Sequence, residues 1–523
     1  MFWADRVVQE LEQSRDIRGK KLVIRDEKTM SGRVHVGSMR AFATHGLVSE
    51  VLQERGIGNE YFYEFNDFDP FDKIPANVDG DRFTEHLGKP LYAVPSPESG
   101  FANYAEYFAA EYQGVHERAG FKPTYYRAYG DLYKTGRMDA LIRTALDRTS
   151  DIRRILKDVS GSVKDESWLP ISVVCEACGK MTTVRTYDWN GETVAYACEK
   201  TPPGTQPCGR AARIAPFGGN AKFFWKVDWA AKWIIMDVSI EGGGKDHSTK
   251  GGARDVANHI AREVFDHEPP FDIPHEFFLI GGKKMASSKG RGASAKEMSD
   301  LFPPAVFRLL LIGKDINQQI DIDPEGESVP RLYDWYDELA EKVREGIADD
   351  FTRLYMLCQL PEDQAGASAH WQLRFSQVAF IAQMPHLSLK DEAEKVKGTL
   401  LTEEEVALLE ERAKYARLWL ASYAPDSYRY ELQATMPAVE LADTQKEALR
   451  QLHAYLEEGE RTGEEIQSHL FELKESASIK PAALFSAIYQ IFLARTSGPK
   501  AGWFLSVLPR EFALERLSEA TSR

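Results

Sequence analysis

"TMSGRVHVGSMRAFATHGLVSEVLQERG", residues 29–56, decides how this chain folds. It follows the apolar run "KLVI" (21–24) and precedes another, "EYFYEF" (60–65). Met39, Phe42, Ala43, Leu47 and Val51 recur at helical spacing, so a helix opens directly behind "HVGS" (35–38). Strand, glycine-flanked turn, helix and strand predict a nucleotide-binding βαβ unit. There the free N–H groups of the turn and the helix dipole favour phosphate. His35 stands where it can donate to a phosphate oxygen, and Gly32 and Gly37 let the backbone approach a ligand closely.

A second loop, "GGKKMASSKGRG" (281–292), leaves the strand-like run "FFLI". In open α/β sheets, loops at the carboxyl ends of strands converge on the ligand crevice. One loop carrying His35 and another carrying Lys284 and Lys289 therefore predict a clamp on a triphosphate. Between them, "GGGKDH" (242–247) follows a third strand-like run, and its glycines suit backbone contact with adenine.

A chain of 523 residues predicts about two to four domains. Its hydrophobic fraction of 43% and charged fraction of 28% are those of a soluble globular protein. No apolar stretch approaches the roughly 18 to 20 residues of a membrane span, so no membrane partner is expected. The amphipathic, acid-rich N-terminus resembles neither a secretory signal nor a transit peptide, which predicts a cytoplasmic protein. The net charge of −15 argues against a nucleic-acid coat, while leaving room for local basic patches.

Four of the five cysteines fall in one short segment: Cys175, Cys178, Cys198 and Cys208. They spell C-x2-C, nineteen residues, then C-x9-C. Two knuckle-like turns of this kind suit tetrahedral thiolate ligation of a structural Zn²⁺. Cys358, in "LYMLCQLP", reads as a buried core residue.

Texture along the chain predicts five segments. Residues 1–155 form the first half of an α/β catalytic domain, and 156–222 a connective insertion of short strands and turns carrying the cysteines. Residues 223–295 return to the catalytic domain. A linking helical domain occupies 296–345 and a helical domain 346–523. Capping-box patterns at Thr402–Glu405, Thr444–Glu447 and Thr462–Glu465 mark helix starts in the last segment.

"HVGS" resembles the HIGH signature, and "KMASS" the KMSKS signature, of class I aminoacyl-tRNA synthetases. Further stretches resemble the class I lysyl-tRNA synthetases: "SGRVHVGS", "NDFDPFDKIP", "HLGKPLYAVPSPES", "WKVDW", "GKDH" and "FLARTSGPKAGWFLSVL". They span about residues 20 to 510. The resemblance implies a Rossmann-like HUP catalytic domain, a linking domain against the acceptor stem and an all-α anticodon-binding domain. It implies a lysine–tRNA ligase that makes lysyl-adenylate from lysine and ATP with Mg²⁺. The lysyl group then moves to the 3′-terminal adenosine of tRNA(Lys).

On this resemblance His35, Lys284 and Lys289 are catalytic. Gly32, Gly37, Ser38, Gly244, Asp246, Met285, Ser287 and Ser288 hold ATP. Thr29, Trp225 and His247 line the amino-acid site, with His275 where tyrosine is frequent. The substrate ammonium needs a carboxylate, and Glu27, Asp67 and Asp69 all close strand-like runs aimed at the crevice. The sequence departs from the pattern in places: Ser38 replaces the second histidine, Ser287 the second lysine and Ala286 the first serine. Glu27 stands for glycine and Met30 for proline. Lys480, Arg495 and Lys500 are candidate contacts to the RNA backbone. A glutamyl-type class I synthetase and a non-catalytic tRNA-binding paralogue are the competing readings. The acidic pocket residues favour lysine over glutamate, and the retained His35, Lys284 and Lys289 speak against a non-catalytic protein. The oligomeric state is open, a monomer being favoured.

Overall fold

The computed structural model describes residues 1–522 except 285–293, 362, 363, 365–368, 385, 386, 477 and 478. The chain divides into two compact units, one of residues 1–322 with 348–367 and one of 323–347 with 368–523. No helix among the described residues is long and apolar enough to cross a membrane.

In the first unit, strands β1 (Leu22–Thr29), β2 (Asn59–Asn66) and β3 (Thr124–Arg127) form a parallel sheet in that order. Glu27 lies opposite Glu64, and Thr29 opposite Asn66. The free edge of β1 is taken by Ile240, which bridges Ile24 in parallel and in turn bridges Phe271. The spatial order thus runs β3, β2, β1, then the Ile240 and Phe271 segments. Chain order reverses beside β1, and an open α/β sheet places its ligand crevice at that point.

The helix Met39–Glu54 connects β1 to β2 as the apolar spacing predicts, and Met39, Phe42, Ala43, Leu47 and Val51 are all fully buried. Its Arg40, also buried, donates to the carbonyls of Leu311 at 3.0 Å and Asp315 at 2.7 Å. The helix Tyr104–Ala119 connects β2 to β3. Asn103 caps its start by accepting the Glu106 N–H, and Gly120 in the left-handed region ends it.

The cysteine-bearing segment consists of short strands. β4 (Ile171–Val173) pairs antiparallel with β8 (Ala221–Phe223), while β5 (Val184–Trp189), β6 (Val194–Cys198) and β7 (Ala211–Ile214) make a sheet between them. Farther on, β9 (Phe278–Ile280) turns through Gly281 and Gly282, both at positive φ, into β10 (Lys283–Lys284). β11 (Ile320–Ile322) pairs parallel with β9, a strand inside a stretch read from sequence as helical. Three residues carry no periodicity that could announce it; pairing with β9 decides.

The second unit is helical, with long helices at Ser328–Arg344, Glu403–Ser422, Asp443–Glu457, Gly463–Ser476, Pro481–Leu493 and Arg510–Ser522. The Thr402–Glu405 capping box is formed, and Thr462 and Glu465 exchange the same pair of bonds. The box expected at Thr444 is not. That helix starts at Asp443, and the Gln445 side chain accepts the Ala442 N–H, because Glu447 turns to Arg450 and Gln451 instead. Lys480 and Lys500 precede helix starts, and Arg495 donates to the Asp426 carbonyl. Cys358, in the first unit, is fully buried.

Gly46 allows the Met39–Glu54 helix to meet Phe121: a Cβ there would lie 2.5 Å from Phe121 Cγ. Gly46→Ala should therefore destabilise the first unit by about 1 to 3 kcal/mol, despite alanine's higher helix propensity. A lower midpoint of the first thermal transition is the expected result.

Candidate active site

The cleft opens at the carboxyl ends of β1 and the Ile240 segment, where chain order reverses, and measures about 380 Å³. Its walls include Asp26 to Thr29 on β1, the turn from His35 to Ser38, residues Glu241 to Gly244, and Trp225 with Trp229, together with Ala41, Tyr63, His247 and His275. Glycine at 242 is required by close approach, since a Cβ would lie 2.1 Å from the Ile273 carbonyl oxygen. Gly244 bridges His275, so the glycine segment runs as an extended ribbon into the cleft.

The turn behind β1 places His35 just ahead of a short 3-10 segment, Val36–Ser38, and Ser38 leads into the helix Met39–Glu54. Gly37, Ser38 and Ala41 at this start line the cleft, and the Ser38 side chain makes no capping bond, the Ser38 N–H donating to the His35 carbonyl. Burial, and then the nearby Lys28 ammonium, push the His35 imidazole down to about 4. It is neutral near pH 7, and its Nδ1 is buried without a partner among the described residues. His275 is likewise held neutral, at about 3, chiefly by burial. His247 meets Trp225 edge-on at 5.4 Å, and Trp225 stacks on Trp229 at 5.9 Å.

Beneath the cleft lies a buried ion network. Arg25, fully buried, donates to Glu241 at 2.6 Å, to Glu64 at 2.8 Å, to Tyr126 at 2.7 Å and to Glu27. Lys232 reaches Glu27 at 3.1 Å, Glu64 at 2.5 Å and Asp228 at 2.9 Å. Lys222 joins Asp228 at 2.9 Å to Asp69 at 2.7 Å, and Asp69 accepts the Thr29 hydroxyl. The carboxylates Glu27, Glu64, Asp69, Asp228 and Glu241 outnumber the cations Arg25, Lys222 and Lys232. Burial alone would raise the Glu27 carboxyl, but Lys232 and Arg25 outweigh it and hold the group well below the usual range. Both cations bind Oε2; among the described residues Oε1 has no partner.

Glu27, Thr29, His35, Gly37, Ser38, Trp225, Gly244, His247 and His275 thus come together around one cleft. Gly32, Asp67, Asp69 and Asp246 do not line it among the described residues. A Cβ on Gly32 would meet Pro75 at 2.7 Å, so packing of the turn accounts for that glycine. Asp67 accepts the Tyr129 N–H, and burial raises its carboxyl to about 6. The side chain of Lys284, and Met285, Ser287, Ser288 and Lys289, lie outside the described residues. Sequence reading missed Asp26, Lys28, Ala41, Tyr63, Trp229 and Glu241 in the wall and the cations below it; the helical spacing of Trp229, four residues after Trp225, is a signal that could have found it.

Residues 1–360 match the family model of class I tRNA synthetases (K). The chain belongs to that family. The synthetase is 33% identical to a lysine–tRNA ligase of Methanosarcina barkeri, over 100% of this chain and 98% of the relative. It is 31% identical to a lysine–tRNA ligase of Archaeoglobus fulgidus, over 99% of this chain and 100% of the relative.

The synthetase's four clustered cysteines bring their sulfur atoms within 4.8 Å of one another. Cys175 and Cys208 are 3.6 Å apart, Cys178 and Cys198 3.8 Å. Thiolates bound tetrahedrally at about 2.3 Å from zinc sit roughly 3.8 Å apart, so the set fits that ion. Backbone turns pre-form it: Gly179 donates to the Cys175 carbonyl and Gly209 to that of Cys198.

Because the folded protein refuses a proton on His35 that the unfolded chain accepts, this group costs stability as pH falls from 6.5 toward about 4. An NMR titration of the His35 ring should show neutral imidazole at pH 5.5. A midpoint near 6.5 would contradict its burial.

Proposed function

We propose that the synthetase is a lysine–tRNA ligase whose two steps both occur in the cleft at β1. Full-length similarity to lysine–tRNA ligases carries the reading, and the carboxylate excess around the cleft supports a cationic substrate. In the first step the lysine carboxylate attacks the α-phosphorus of ATP, forming an O–P bond as pyrophosphate leaves. In the second, a hydroxyl of the terminal adenosine of tRNA(Lys) attacks the lysyl carbonyl and AMP departs. Positioning and charge stabilisation supply most of the acceleration.

His35 donates one N–H to a phosphate oxygen, and the uncapped start of the Met39–Glu54 helix adds backbone donors. Gly37, Ser38 and Gly244 give the nucleotide its backbone bed, and the loop bearing Lys284 and Lys289 covers the distal phosphates. Mg²⁺ enters with ATP and neutralises phosphate charge. Glu27 Oε1 takes the substrate ammonium, with Thr29, Trp225, His247 and His275 around the rest of lysine. Asp69 acts through Thr29 and Lys222. Cys175, Cys178, Cys198 and Cys208, deprotonated to thiolates, would hold a structural Zn²⁺, and the second unit holds the anticodon.

Lysylation of tRNA(Lys), together with lysine-dependent ATP–pyrophosphate exchange measured with tRNA present, tests the reading; glutamate-dependent exchange alone would overturn it. His35→Ala should raise the barrier to adenylate formation by about 2 to 4 kcal/mol and leave lysine binding nearly unchanged. A charge-assisted contact contributes roughly 1.5 to 3 kcal/mol. Glu27→Gln should therefore weaken lysine binding about tenfold or more while sparing ATP. Metal analysis of the reduced protein should find one zinc per chain, lost when the four cysteines become serine.

A further inference from the structure

Next to the cleft, outside the residues given roles above, two aromatic rings stack at the surface. Trp168 and Phe224 lie 5.8 Å apart at an interplanar angle of 17°. Phe224 is 41% exposed and its neighbour Trp225 46%; no other exposed large apolar residues among those described are adjacent in sequence. The pair is held rather than loose, because the Phe224 N–H donates to the Pro170 carbonyl and ties the two segments together. From this pair the rings continue inward, since Trp225 follows Phe224 and stacks on Trp229 in the cleft wall.

Two lysines flank the rings. The Lys164 ammonium lies 5.8 Å from the centre of the Trp168 ring. Lys226 is pushed down by partial burial and then by Lys164, so the two cations are close enough to repel. Neither has an acidic partner among the described residues, and the nearby Asp165 accepts from Ser167 instead. In a chain of net charge −15, two neighbouring cations without acidic partners among the described residues, beside the half-buried Trp168 and the exposed Phe224, are a feature to explain.

We propose that Trp168 and Phe224, flanked by Lys164 and Lys226, are a stacking platform for the unpaired 3′-terminal nucleotides of the RNA substrate. The proposal rests on the ligase reading, which requires a single-stranded RNA end to enter this cleft. Unpaired bases stack on aromatic faces without regard to sequence, and lysines meet the phosphates between them. Continuity of the rings with the cleft and the complementary charge single out this occupant over an apolar peptide.

The test compares the full-length protein's affinity for intact tRNA(Lys) with that for the same RNA lacking its last three nucleotides. Trp168→Ala should weaken binding of the intact RNA about tenfold and leave the truncated RNA unchanged. Trp168→Phe should retain most of the intact-RNA affinity. Replacing Lys164 and Lys226 together by alanine should reduce the salt slope for intact RNA by about 1.4. Equal weakening of both RNAs by Trp168→Ala, or of neither, overturns the platform, the latter leaving the rings to some other partner. Lysylation by the unmodified protein tests the ligase reading separately, so the two failures are distinguishable.

Discussion

The whole cleft depends on the burial of Arg25. A guanidinium on the central strand, shut away from water, is tolerable only when its donors are met with good geometry. Glu64 on β2, Glu241 on the segment beyond β1, Tyr126 on β3 and Glu27 on its own strand meet them. One side chain thereby ties four neighbouring pieces of sheet at their carboxyl ends. Lys232 extends the tie to the helix Trp225–Ile235. Breaking such a pair strands a buried charge, at a cost of about 3 to 5 kcal/mol, so the geometry of the cleft floor and its electrostatics are one property.

That floor carries more carboxylates than cations, which suits an ammonium but would repel a triphosphate. The alternation of β1 resolves the conflict. Arg25, Glu27 and Thr29 share one face, toward the Trp225–Ile235 helix and the ion network. Asp26 and Lys28 occupy the other. Asp26 lies 3.4 Å from His45 of the Met39–Glu54 helix, and Lys28 perturbs His35. The strand separates a side of ion-paired carboxylates from a side with Asp26, Lys28, His35 and a helix start. Burial keeps His35 neutral, and the neighbouring Lys28 ammonium adds to the effect.

The βαβ unit was legible because its signals are local: an apolar run, a glycine-flanked turn and five apolar residues at helical spacing. The cysteine cluster was legible for the same reason. The ion network was not, since Lys222, Lys232, Glu64 and Asp228 sit in runs where a charged residue ordinarily faces water. Only the tertiary fold buries them together. Asp67 and Asp69 lie just beyond the end of β2 at Asn66, and whether such a residue reaches a crevice depends on neighbours distant in sequence. For Asp69 those are Thr29 and Lys222; for Asp67 it is the Tyr129 amide.

The cysteine-bearing insertion is joined to the same network by its exit strand. β8 pairs with β4, and its central residue Lys222 bridges Asp69 and Asp228. Phe223 ends β8 and the Trp225–Ile235 helix begins two residues later, so the strand's register fixes where Trp225 and Trp229 enter the cleft. Elsewhere the segment meets the turn at Gly88, behind the short helical stretch 80–86, where Met181 donates to the Gly88 carbonyl and a Cβ on Gly88 would collide with Thr182 at 2.5 Å. The cysteine cluster sits on the same segment, directly behind β4. Cys175 follows β4 by two residues, β4 pairs with β8, and through Lys222 and Trp225 the register of that pair reaches the cleft.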